Sequence, residues 1–183
     1  MKVVETGIKD LLVVELDIHG DNRGFFVERY NEKTFKDHGL PTNFVQDNHS
    51  RSAPKVVRGL HYQHNPAQGK LVGAARGSIW DVAVDIRPDS PTFGKNFGIE
   101  LSDANGKLLW VPPGFAHGFC VPGDETVDIF YKVTGLFNSA GEGGISWDDP
   151  ELAVDWPIKD PILSQRDQNQ QSFAEYKDNP PIW

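Results

Sequence analysis

The segment from Lys107 to Cys120, KLLWVPPGFAHGFC, runs an apolar stretch into a Pro-rich turn and delivers His117 between two phenylalanines. A histidine so placed belongs to a site or to a core, and imidazole is the side chain whose proton affinity lies nearest neutral pH. The other histidines close in sequence are His61 and His64, in His61-Tyr62-Gln63-His64. Two metal ligands on one strand face need even spacing, because side chains alternate, and these two have opposite parity. A metal-free site therefore fits these histidines better than a bound metal, although tertiary folding can bring two or three histidines together. Cys120 is the single cysteine, so no internal disulfide forms; an inert buried thiol in an apolar strand fits it better than a Cys–His nucleophile.

These residues need strands to hold them. Ser78 to Arg87 alternates Trp80, Val82, Val84 and Ile86 with Asp81, Ala83, Asp85 and Arg87, the pattern of a half-buried antiparallel strand. Thr126 to Thr134 places Val127, Ile129, Tyr131 and Val133 on one face, so Tyr131 lies on the apolar side. Further strands are expected at 11–17, 24–30, 56–63, 70–75, 97–101 and 107–111, separated by turns such as Asp103-Ala104-Asn105-Gly106. That many short strands mean a sandwich or barrel. Helix is sparse: Asn31 caps a short one ending at Gly39, and Ser164 caps another from about Gln165 to Tyr176.

With 183 residues and 38% hydrophobic content, the chain is expected to form a single domain over 1–183. A formal net charge of −8 argues against nucleic acid as a partner, and no apolar run approaches the roughly 20 residues of a membrane span. The N-terminal residues lack a signal-peptide pattern, so a cytoplasmic location is expected. In an acidic chain, a small dianionic ligand requires cations gathered locally, which singles out each Arg or Lys beside a turn motif.

Several motifs then stand in order: Gly20-Asp21-Asn22-Arg23-Gly24-Phe25-Phe26, Val45-Gln46-Asp47-Asn48, Arg58-Gly59-Leu60-His61-Tyr62-Gln63, Gln68-Gly69-Lys70-Leu71-Val72, Gly114-Phe115-Ala116-His117-Gly118-Phe119, Tyr131-Lys132 and Trp147-Asp148-Asp149-Pro150. Together they resemble the dTDP-4-dehydrorhamnose 3,5-epimerase family from about Gly20 to Asp167. The spacing Pro112-x-Gly114-x-x-His117 also resembles the second motif of the cupin barrels. The resemblance implies an all-β, cupin-type antiparallel β-barrel (jelly roll) with a few short helices. It further implies a homodimer with no metal or organic cofactor, acting on a dTDP-linked 4-keto-6-deoxyhexose in rhamnose biosynthesis.

By the same resemblance His61 is the base, Asp167 orients it, Tyr131 is the proton donor on the opposite face and Lys70 stabilises enolate charge. Arg23, Glu28, Gln46, Asp47, Asn48, Arg58, His117, Glu142 and Arg166 would bind the nucleotide sugar. From the residues alone, Ser164-x-x-Asp167 reads better as a helix-capping box, and Tyr131 better as a core tyrosine. Ideal alternation puts Arg58 and His61 on opposite faces, so either Gly59 marks a bulge or the two serve different subunits. Three positions depart from the family pattern: Gly73 replaces an arginine, Phe137 a tyrosine and Arg166 a lysine. Three alternatives stay open: an epimerase acting at one carbon only, a non-catalytic nucleotide-sugar-binding barrel and a metal-dependent cupin.

Overall fold

The computed structural model describes residues 1–183. Thirteen strands are present: β1 (Lys2–Glu5), β2 (Leu12–Glu15), β3 (Ile18–Asp21), β4 (Gly24–Val27), β5 (Gln46–Ser52), β6 (Val57–Gln63), β7 (Lys70–Arg76), β8 (Ser78–Asp85), β9 (Asn96–Ser102), β10 (Lys107–Val111), β11 (Phe115–Cys120), β12 (Val127–Val133) and β13 (Glu142–Gly144). The two α-helices are short, α1 (Glu32–Asp37) and α2 (Phe173–Asp178). Six strands form one sheet in the order β1-β2-β10-β7-β12-β5, and five form a second in the order β13-β6-β11-β8-β9. Pairing between these strands is antiparallel throughout. The two sheets face each other as an all-β jelly roll of cupin type, and β3–β4 stands apart as a two-stranded ribbon.

Period-two alternation sorts the side chains into three layers. Val72, Ile79, Ala83, Leu109, Phe119 and Ile129 pack between the sheets. Leu60, Val82, Val84 and Ile86 lie on the outer face of the five-stranded sheet, under α2 and the C-terminal segment. Leu71, Leu108 and Trp110 cover the outer face of the other sheet, against Phe35 of α1. The expectation of a half-buried β8 is thereby corrected. Both its faces are covered, and Asp81 and Asp85 are fully buried. Arg87, Ser90 and Thr92 satisfy Asp85.

Two other elements differ from expectation. Gln46–Ser52 contains no apolar residue and gives no strand signal, yet pairs with β12 along its whole length. The helix expected from Gln165 to Tyr176 is instead a 3₁₀ turn at Asp167–Asn169 followed by α2. Ser172, not Ser164, caps α2, in a capping box with Glu175. The break has a cause: Gln171 bridges to Ile145 and its carbonyl accepts from Ser146 N, holding the chain extended there. Asn31 caps α1 as expected, accepting from Thr34 N at 3.2 Å.

Candidate active site

Between the sheets lies a cavity of about 660 Å³, reached by side chains from both walls. From the five-stranded sheet come Arg58, His61, His117 and Phe119; from the other come Gln46, Asn48, Lys70, Val72, Ile129 and Tyr131. Arg58 and His61 both reach it because a bulge interrupts β6: His117 pairs with His61, but Phe119 pairs with Arg58. Gly59 makes this possible with φ +122°, and a Cβ there would lie 2.6 Å from Gly118 Cα.

Asp167 Oδ1 lies 2.5 Å from His61 Nε2, and its Oδ2 accepts from Ser164 Oγ at 2.8 Å. Burial pushes the Asp167 carboxyl upward, but the bonds from His61 and Ser164 outweigh it and hold the group below the usual carboxylate range. The cap-like pairing of Ser164 and Asp167 is also real, since Asp167 N donates to Ser164 Oγ at 3.1 Å. The turn therefore serves local structure and the histidine together. On the opposite wall, burial pushes the Tyr131 phenol up, while nearby Arg58 works the other way. Tyr131 thus keeps its proton at neutral pH. Lys70 Nζ lies 3.4 Å from the carbonyl oxygen of His61, and burial brings its ammonium down to about 8.

His117 makes a second histidine–carboxylate pair: Asp81 accepts from Nε2 at 2.9 and 3.1 Å, both residues buried. Sequence reading missed Asp81, because it placed the polar side of β8 in solvent; in a two-sheet barrel that side faces the interior. No group of three or more His, Cys, Asp or Glu side chains stands together at metal-ligand spacing.

At the mouth, Arg166 donates to Glu142 at 2.9 Å, and both residues line the cavity. Phe137, 61% exposed, also lines it, its backbone N donating to Gln46 Oε1 at 3.4 Å. Arg58 Nε is held by Ser52 Oγ at 3.0 Å. Three expected site residues are not brought to this cavity. Strand parity turns Asp47 to the outer face, where Lys132 Nζ donates to it at 2.8 Å. Arg23 sits on the β3–β4 ribbon paired with Asp21, and Glu28 accepts from Asn31 Nδ2 nearby. Gly73 is also outside: its missing side chain leaves room for Leu108 and the Phe130 ring.

Fold and site define a cupin-type β-barrel whose inter-sheet cavity presents His61 and His117 from one wall and Lys70 and Tyr131 from the other. The dTDP-4-dehydrorhamnose 3,5-epimerase family model matches residues 5–175. A dTDP-4-dehydrorhamnose 3,5-epimerase from Shigella flexneri is 49% identical over 177 residues, covering 96% of this chain and 97% of the relative. A Streptomyces niveus dTDP-4-dehydrorhamnose 3-epimerase is 37% identical, covering 97% and 86%. The crystal structure of a Legionella pneumophila 3,5-epimerase bound to dTDP-4-keto-L-rhamnose superposes with TM-score 0.89 at 44% identity, covering 93% of this chain and 92% of that one. The chain belongs to the dTDP-4-dehydrorhamnose 3,5-epimerase family.

Proposed function

We propose that this chain epimerises dTDP-4-dehydro-6-deoxy-glucose at carbons 3 and 5, giving dTDP-4-dehydro-rhamnose for rhamnose biosynthesis. The observation that carries the reading is the His61–Asp167 pair facing Tyr131 across one cavity, with the Lys70 ammonium beside His61. Carbons 3 and 5 flank the carbon-4 ketone, so their C–H bonds are acidic. Neutral His61 takes the proton, the C–H electron pair becomes the enolate C=C, and the former carbonyl oxygen carries the negative charge. The Lys70 ammonium, 3.4 Å from the His61 carbonyl oxygen, is suited to stabilising that oxyanion. The Tyr131 O–H then protonates carbon from the other side, inverting the centre, and solvent restores both groups. Asp167 keeps the His61 tautomer fixed and stabilises the imidazolium.

Arg58 is suited to the diphosphate, the amides of Gln46 and Asn48 to sugar and base, and the exposed Phe137 ring to stacking on the nucleobase. His117, Glu142 and Arg166 complete the polar lining. Arg23 and Glu28 reach a site in this reading from a second copy of the chain. That homodimer is supported by the exposed Phe25 and Phe26, 53% and 69%, on the same ribbon. No helix is long and apolar enough to cross a membrane, and a cytoplasmic location is part of the reading.

The test is proton NMR of the dTDP-4-keto sugar incubated with the protein in D₂O. Deuterium entering at both carbons is the expected result, and His61→Ala should lose exchange at both. Exchange at one carbon alone would assign a narrower epimerase; none at either, with substrate bound, would leave a binding protein.

A further inference from the structure

We infer that Ser164 is a positioning residue for the general base, fixing the Asp167 carboxylate in the one orientation that meets His61; this rests on the role proposed for His61. Asp167 is 4% exposed and has two carboxylate oxygens to satisfy. One meets His61 Nε2 at 2.5 Å; the only protein donor to the other is the Ser164 hydroxyl at 2.8 Å. That hydroxyl also accepts from Asp167 N at 3.1 Å, so a single oxygen holds both the backbone and the side chain of the carboxylate residue. Without it, the carboxylate could swing about Cβ–Cγ and share its charge differently with the imidazole.

The hydroxyl is not the turn's only tie. Ser164 O accepts from Gln168 N at 3.1 Å, while Ile162 N donates to Lys55 O at 2.7 Å and Ile162 O accepts from Val57 N at 3.1 Å. These backbone bonds tie the segment to β6, the strand that carries His61, whatever side chain stands at 164. Ser164 is itself exposed and lines the cavity, so its substitution leaves the core untouched. Removing the hydroxyl therefore frees both the backbone N and the carboxylate of Asp167 while the remaining ties of the turn persist.

The test compares Ser164→Ala and Ser164→Thr in steady-state epimerisation, together with the proton resonance of the His61–Asp167 hydrogen bond in the resting enzyme. The alanine variant is expected to lose roughly 10-fold to 100-fold in kcat with KM within about twofold, since misplacing a catalytic group by ~1 Å costs on that order. Its bridging proton resonance should broaden or move upfield. Threonine, which restores the hydroxyl, should recover most of both. An alanine variant with full kcat, or a threonine variant as impaired as alanine, would overturn the inference. His61→Ala run alongside separates the two levels. If it turns over normally, the base assignment itself fails; if it is inactive while Ser164→Ala is fully active, only the role of Ser164 fails.

Discussion

Replacing Lys70 by methionine should make the protein more stable and less active, and the size of the first effect follows from the site. The Lys70 ammonium is brought from 10.5 down to about 8 by burial, despite Glu142 and Asp81 favouring its charge; Arg166 disfavours it further. A lysine whose folded pKa lies below its unfolded one destabilises the fold wherever it is charged in both states, here below about pH 8. The penalty fades as pH rises from 8 to 10.5. The drop from 10.5 to about 8 corresponds to about 3 kcal/mol, an upper bound for what Lys70→Met recovers at pH 7. At 2–4 °C per kcal/mol for a chain of this size, Tm should rise by up to roughly 10 °C. The gap from wild type should close by pH 10.5. Activity should fall on the order of 10²-fold, and wild-type kcat/KM should decline above about pH 8 as the ammonium deprotonates. Thermal melts of both proteins at fixed concentration across pH 7 to 10.5, paired with pH–rate profiles, measure all of this. A methionine variant less stable than wild type at pH 7, or a stability gap that ignores pH, would refute the reasoning.

Gly73→Arg should lower stability by about 1–3 kcal/mol, because a Cβ at 73 would lie 2.5 Å from Leu108 Cδ2 and 2.7 Å from Phe130 Cζ. KM of the folded variant should not change, since position 73 points away from the cavity; an unchanged Tm would show that the outer layer yields freely. Gln63→Leu should raise KM about tenfold while affecting kcat less. The buried Gln63 amide donates to Pro66 O and Leu136 O at 2.9 and 3.0 Å and accepts from Asn138 N at 2.9 Å, pinning the loop that carries Phe137. Steady-state kinetics with the nucleotide sugar check it, and an unchanged KM would free Phe137 from that loop's geometry.

What the sequence made legible was whatever repeats along one strand. Val127, Ile129, Tyr131 and Val133 share a face in the alternation, and the structure puts Val127 and Ile129 in the interior with Tyr131 against them. The Arg58–His61 parity conflict likewise demanded a bulge or a second subunit, and the bulge at Gly59 resolved it. What alternation cannot reveal is which side of a strand meets water when both sides are covered. Asp81 looked like the solvent side of β8 and is the buried partner of His117. Asp47 looked like a neighbour of Gln46 and Asn48 in function, and parity sends it to the opposite face. Positions set by chain-distant pairing, such as Gln171 against Ile145, leave no local trace, which is why the expected second helix was too long.

The two histidine–carboxylate pairs show why the last turn of the chain matters to chemistry. His61 and His117 are direct cross-strand partners on β6 and β11, so the barrel alone fixes their separation. Asp81 comes from β8, hydrogen-bonded to β11 on its other side, and is as rigid as the sheet. Asp167 comes instead from a 3₁₀ turn 106 residues along the chain from His61, outside both sheets. The sheets alone therefore leave the carboxylate partner of His61 unplaced. The base is set only when the turn docks, through Ile162 on β6, Ser164 on the carboxylate and Arg166 on Glu142. Arg166 also lines the cavity while its guanidinium donates to Glu142. Cavity lining and the partner of His61 thus share one six-residue segment, so a substitution at Arg166 should alter kcat as well as KM.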